Sequence, residues 1–207
     1  MKIKNLLLDM GGVILDVDYT KIIAAFEKFG IDARTLYTQS EQLPFIDDFE
    51  EGKITPAQFR DEVRKTIQKN LSNNDIDTVW NSMVESPRVK DIKLLSELRN
   101  KYEKIFLFSN TNDIHIDLVK KMFAKEMGFD VFSTLFDKAY LSNEIHVRKP
   151  HKESFLWVLN DAKIKAEETL FIDDTIKNIQ GAEQAGLNTY LLEKPQTLTD
   201  LHNKKII

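Results

Sequence analysis

The sequence predicts an α/β protein: a parallel sheet flanked by helices, with an all-helical unit inserted behind its first strand. Three observations carry this expectation. A short apolar run, Leu6-Leu7-Leu8, lies near the N-terminus and ends in a carboxylate and two glycines, Asp9-Met10-Gly11-Gly12. Residues from about Val17 to Ser86 read as helical, with apolar side chains at helical spacing. Beyond Pro87, short apolar runs alternate with helical segments, the pattern of parallel strands joined by crossover helices. The first strand is thus separated in sequence from its partners, and the simplest arrangement sets the helical block as a cap over the sheet's C-terminal edge.

Taken in order, Leu6–Leu8 reads as a buried parallel strand, because a continuous apolar run buries both faces. Ile22, Ile23, Phe26 and Phe29 mark a helix that Gly30 stops. Thr55-Pro56-Ala57-Gln58 is a helix start, with Thr as N-cap, Pro in the first turn and Gln completing a capping box. Phe59, Val63 and Ile67 line its inner face; Ile76, Val79, Trp80 and Met83 line the next helix, and Ser86-Pro87 breaks the pattern. A helix with Val89, Ile92, Leu95 and Leu98 leads to a strand at Ile105–Phe108. Then follow a helix with Val119, Met122 and Phe123, a short strand near Ala139–Leu141, and a helix with Phe155, Val158 and Leu159. A strand at Leu170–Ile172, a helix to Gly186 and a strand at Thr189–Leu192 complete the sheet. Trp80 and Trp157 fall in helical apolar patterns and are expected in the core.

Composition narrows the function. A chain of 207 residues forms one substantial core and a small second unit. A net charge of −4 argues against a dedicated nucleic-acid surface but leaves room for phosphorylated small molecules, which need only local cations. Without cysteine there is no disulfide, no thiol catalysis and no zinc–thiolate site, which fits a reducing compartment. Asp9 interrupts the N-terminal apolar run, leaving it too short for a signal peptide or membrane span. The chain therefore reads as a cytoplasmic protein; the sequence is silent on whether it is a monomer or a dimer.

Four polar segments fall at strand ends, where open α/β sheets bind ligands. Asp9 can serve as covalent nucleophile, metal ligand or both, with Gly11-Gly12 allowing close approach; a strand-end turn aspartate is the plain alternative. Ser109-Asn110-Thr111 offers a hydroxyl, an amide and backbone N–H groups to an anion, or simply a helix cap. In Arg148-Lys149-Pro150, Lys149 offers a compact charge for a phosphate oxygen; taken alone the pair reads as solvated. Asp173-Asp174 sets two carboxylates side by side, which repel without a cation and suit Mg²⁺. His115 and His146 look incidental. Asp16 and Asp18 read as hinge or helix-cap residues rather than acids.

Together these segments resemble the four motifs of the haloacid dehalogenase (HAD) superfamily, in order and over nearly the whole chain. They are Asp9-Met10-Gly11-Gly12-Val13, Ser109-Asn110, Lys149-Pro150, and Asp173-Asp174 with Asn178, Gly181-Ala182 and Ala185-Gly186 downstream. The resemblance implies a Rossmann-like core of residues 1–16 and 87–207 and a helical cap of residues 17–86. Phe49-Glu50-Glu51-Gly52-Lys53-Ile54-Thr55 resembles a cap segment of the subgroup containing sugar-phosphate phosphatases such as α-D-glucose-1-phosphate phosphatase. By this resemblance Asp9 attacks phosphorus, Ser109 and Asn110 hold the phosphoryl oxygens, and Lys149 neutralises nucleophile and phosphate. Asp9, the carbonyl of Gly11, Asp173 and Asp174 would hold Mg²⁺, with Asp174 the direct ligand and Asp173 the second contributor.

Gly11 departs from the pattern: most phosphatases of the superfamily carry an acid–base aspartate there, although the glucose-1-phosphatase-like subgroup shares the glycine. The expected function is a Mg²⁺-dependent phosphatase for a small phosphorylated metabolite, a sugar phosphate by resemblance. Two alternatives stand beside it. A metal-free 2-haloacid dehalogenase would use the same Asp9 and would need a cap arginine, for which Arg34, Arg60 and Arg64 are available. A non-catalytic binding protein would keep the fold without turnover.

Overall fold

The computed structural model describes residues 2–31 and 43–207; Arg34 lies outside them. Five parallel strands form the main sheet: β1 (Asn5–Leu8), β4 (Lys104–Ser109), β5 (Lys138–Leu141), β6 (Thr169–Asp173) and β7 (Asn188–Leu191). Their order is β5-β4-β1-β6-β7, which puts the first strand in the middle. Leu8 is flanked by Leu107 on one side and Ile172 on the other. The residue after each of these three strands therefore emerges along one edge.

Strand alternation sorts the apolar residues into two layers. Leu6 and Leu8 join Ile105, Leu107 and Ile172 on one face, covered by α5 (Val89–Leu98) and α6 (Asp113–Met127). Leu7 joins Phe106, Phe108 and Phe171 on the other, covered by α9 (Lys152–Ala162) and α10 (Ile176–Gln184). Helices thus flank the sheet on both sides, as the alternating pattern requires.

The helical insert comprises α1 (Thr20–Glu27), α2 (Pro44–Glu50), α3 (Pro56–Ile67) and α4 (Asn73–Asn81) among the described residues. Thr55 and Gln58 form the reciprocal capping box at the start of α3, with Pro56 in its first turn. Ile22, Phe26, Phe49, Phe59 and Trp80 build a separate apolar cluster, and Ile114 of α6 joins it from the sheet side. No helix among the described residues is long and apolar enough to cross a membrane.

Three features differ from expectation. The insert is bordered by an antiparallel ribbon of β2 (Leu15–Val17) and β3 (Val84–Pro87), where the sequence suggested helix beginning at Val17 and a simple break at Ser86-Pro87. Strands this short carry no readable period, and their pairing depends on a distant partner. The short helices α7 (Val131–Leu135), α8 (Ser142–Ile145) and α11 (Leu198–Asn203) escape the periodic pattern for the same reason. Trp157 is 39% exposed rather than in the core. Phe155, Val158 and Leu159 turn the inner face of α9 to the sheet, and Trp157, two residues from Phe155, lies on the opposite side. It meets Tyr140 there in an edge-to-face ring contact.

Candidate active site

Asp9 follows β1 directly, and its backbone N–H still donates to Ile172 O (2.9 Å), so the sheet fixes where its side chain begins. The chain then turns: Met10 O accepts from the N–H groups of Ile14 and Leu15, and Gly12 adopts a φ of +69°. A Cβ at Gly12 would lie 2.0 Å from Asp174 Oδ2, so backbone conformation and space both demand glycine.

Lys149 ties the motifs together. It is 1% exposed, and its Nζ donates to Asp9 Oδ1 at 2.6 Å and Asp173 Oδ2 at 2.7 Å. Its own backbone is clamped by Asn110, whose Nδ2 donates to Lys149 O and whose Oδ1 accepts from Lys149 N, each at 2.9 Å. Asp173 also accepts from Thr175 N (2.8 Å) and from Asn178 Nδ2. Asp174 Oδ1 accepts from Thr175 Oγ1 at 3.2 Å. Ser109 ends β4 fully buried, beside Asn110.

Charge in this cluster is unbalanced. Asp9, Asp173 and Asp174 bring ligand oxygens within 4.8 Å of one another. Burial pushes the Asp9 carboxyl up to about 7; Lys149 opposes this while Asp173 and Asp174 reinforce it. Asp174 is also raised, by burial and then by Asp173. Burial pulls Lys149 down, but Asp173 and Asp9 outweigh it, so its ammonium is held protonated above the ordinary range. Three carboxylates around a single ammonium form a hard-oxygen donor set that fits a divalent cation such as Mg²⁺.

Asp9, Gly11, Ser109, Asn110, Lys149 and Asp174 all line one cavity of 320 Å³. Asp173 reaches the cluster from behind, through Lys149 and Asn178. The acids near the insert stay out: Asp16 pairs with Arg88 at 2.7 Å, and Asp18 holds Thr20 at the start of α1. Arg60 pairs with Asp77, and Arg64 holds Asp61 and Leu71 O.

His115 lines the cavity but is built in as structure. Nε2 faces Trp80 O at 3.0 Å, so it must donate; Nδ1 faces Asn112 Nδ2 at 3.1 Å, so it accepts. Burial lowers its pKa to about 4, and the ring stacks on Trp80 as a neutral imidazole. His146 contacts Glu51 O, away from the carboxylates.

Arg148 is the residue that sequence reading missed. It is not solvated: its guanidinium pairs with Asp47 and Glu50 of α2, and all three line the cavity. The available signal was the three-residue spacing of Asp47 and Glu50, which sets both on one helical face.

A family model described as haloacid dehalogenase-like hydrolase matches residues 3–186. The chain belongs to the haloacid dehalogenase-like hydrolases. Among curated relatives of this family, a D-ribitol-5-phosphate phosphatase from Bacteroides thetaiotaomicron is 30% identical over 189 residues, 91% of each chain. Among solved structures, an aspartate-to-alanine variant of a HAD family enzyme from the same organism, in complex with magnesium and inorganic phosphate, has a TM-score of 0.91. It is 37% identical, covering 97% of this chain and 98% of that one. The L-2-haloacid dehalogenase from Xanthobacter autotrophicus with chloropropionic acid covalently bound shares the fold at 19% identity and a TM-score of 0.59. That match covers 92% of this chain and 77% of that one, and shows the fold alone.

Proposed function

We propose that this haloacid dehalogenase-like hydrolase is a Mg²⁺-dependent phosphatase for a small sugar or polyol phosphate, acting through an aspartyl-phosphate on Asp9. The observation that carries the reading is Lys149, buried between Asp9 and Asp173 at the edge of a cavity that Ser109 and Asn110 also line. The relatives support it: one is named for a polyol phosphate, and one was crystallised with magnesium and phosphate.

In this reading an Asp9 oxygen forms a bond to phosphorus as the bond to the leaving alkoxide breaks, and the alkoxide takes a proton from water. A second water then attacks phosphorus, releasing phosphate and restoring Asp9. Lys149 favours the ionised form of Asp9 against the effect of burial, and aims it. Ser109 Oγ and an N–H of Asn110 donate to the phosphoryl oxygens, where charge is spread in the transition state. Asp9, the Gly11 carbonyl and Asp174 would hold Mg²⁺, which when bound neutralises charge between nucleophile and phosphate. Asp173 contributes from behind, since its oxygens already serve Lys149, Thr175 and Asn178. With glycine at position 11, no side chain there protonates the leaving group, and general acid catalysis of about 10²–10⁴-fold is forgone. The same reading divides the chain at the ribbon, with residues 1–16 and 87–207 as core and 17–86 as cap.

The test is phosphate release from a sugar-phosphate panel and p-nitrophenyl phosphate, with and without Mg²⁺, using Asp9→Asn as blank. Mg²⁺-dependent release that disappears in Asp9→Asn is expected. Halide release from 2-haloacids, with no phosphate release at any metal concentration, would replace this reading with the dehalogenase one.

A further inference from the structure

We infer that Arg148, Asp47 and Glu50 form a hydroxyl-reading wall that selects phosphomonoesters with a neutral, polyhydroxylated tail. The inference rests on the phosphatase reading of the same cavity. Arg148 immediately precedes Lys149, so its backbone is held at a fixed span from the Asp9 cluster. Across from it, Asp47 and Glu50 stand one turn apart on α2, in the cap. Arg148 Nη1 donates to Asp47 and Nη2 to Glu50 Oε2, the latter at 2.7 Å. The third donor position, Nε, is buried and has no hydrogen-bond partner. Nε is thus shut off from the cavity, and what this wall offers a ligand is the two carboxylates and the Nη groups of Arg148.

The chemistry of this wall suits hydroxyl groups. A hydroxyl both donates and accepts, so it can accept from an Nη hydrogen of Arg148 and give its own hydrogen to the Asp47 or Glu50 carboxylate. A second anion on the substrate is disfavoured, because one guanidinium already faces two carboxylates. Trp80, Met83 and Val84 line the same cavity and offer an apolar surface for the C–H groups of a sugar or polyol chain. Glu50 is deeply placed, its side chain 12% exposed against 43% for Asp47. Burial lifts its carboxyl to about 7 against the pull of Arg148, with Asp47 and Glu51 adding to the rise, so it can also donate near neutral pH.

The deciding comparison uses D-ribitol 5-phosphate and n-pentyl phosphate, which share a five-carbon chain and a primary alkoxide leaving group but differ in hydroxyls. The wild type should favour the polyol in kcat/KM by at least tenfold. In Glu50→Gln and, independently, the more exposed Asp47→Asn, that ratio should fall severalfold or more, mainly through KM for the polyol. Sites built to pair a hydroxyl discriminate in this way. p-Nitrophenyl phosphate reports whether each variant still turns over. If both variants hydrolyse it and keep the wild-type ratio, the wall does not read hydroxyls and the phosphatase reading survives. If the wild type releases phosphate from none of the three esters, both readings fall together.

Discussion

Lys149 is a cation buried so deeply that two carboxylates depend on it. Replacing it by methionine, unbranched and one atom shorter, removes the charge and leaves the Asp9 and Asp173 carboxylates buried without a cation. Removing one partner from a buried ion pair costs about 3–5 kcal/mol. Urea unfolding of metal-free Lys149→Met should show a loss of that order, and turnover should fall by at least roughly 10²-fold. Equal stability of variant and wild type would mean that the carboxylates had taken up protons at little cost. His115 gives the opposite case, a group kept neutral by burial. Its ordinary pKa of 6.5 falls to about 4 in the fold. Below pH 6.5 the unfolded chain binds a proton that the folded chain refuses, so stability drops as pH falls from 6.5 towards 4. At about 1.4 kcal/mol per pH unit the loss reaches roughly 3 kcal/mol. Denaturation of wild type and His115→Phe across that range should show a flatter profile for the variant; parallel profiles would assign the acid sensitivity elsewhere. Asp9, Ser109 and Asp173-Asp174 were legible because each closes an apolar strand run, a local signal; Lys149 lies in a loop, and only the family resemblance singled it out. Arg148 was not legible, because what takes it out of solvent is Asp47, 101 positions away.

At the scale of elements, α10 meets the loop that carries Lys149. A Cβ at Gly181 would lie 1.9 Å from Pro150 O and 3.1 Å from Phe155 Cε2. Alanine there improves helix propensity by about 1 kcal/mol. It must nevertheless push back the helix or the loop, and a small displacement of a positioned catalytic group costs heavily in rate. Gly181→Ala should therefore lose kcat by tenfold or more while its far-UV spectrum stays that of wild type; wild-type kcat would show that the loop moves without consequence. The elements themselves were readable wherever a period or a cap was long enough to register. Thr55-Pro56-Ala57-Gln58 announced α3 through local hydrogen-bond chemistry, and the helix appears where the motif places it. The ribbon of β2 and β3 spans three and four residues, and nothing within either strand specifies the other.

For the molecule as a whole, the fold gathers three carboxylates at one sheet edge, and residues of the helical insert line the cavity beside them. Strand order was the least legible feature, since the central place of β1 depends on partners such as Leu107 that only the folded chain brings alongside. A cation that binds this edge in the folded state alone must stabilise the whole fold, by about 2.7 kcal/mol at a hundredfold excess over its Kd. Mg²⁺ should raise the melting temperature of the wild type in a concentration-dependent way and that of Asp174→Asn far less. Equal shifts in both proteins would place the ion elsewhere.

Leu15 pairs with Pro87 and Val17 with Val84, so the chain leaves the sheet and returns to it at one place. Seen from the core, everything between these pairs is a loop already closed at its base. Closure cost grows only with the logarithm of loop length, about 0.6 kcal/mol for each doubling. The segment between the two strands can be lengthened, trimmed or exchanged with little penalty to the sheet beneath it. Descendants of this chain can thus remake the lining of the cavity by rewriting residues 18–83, while the Asp9 cluster at the sheet edge stays where it is.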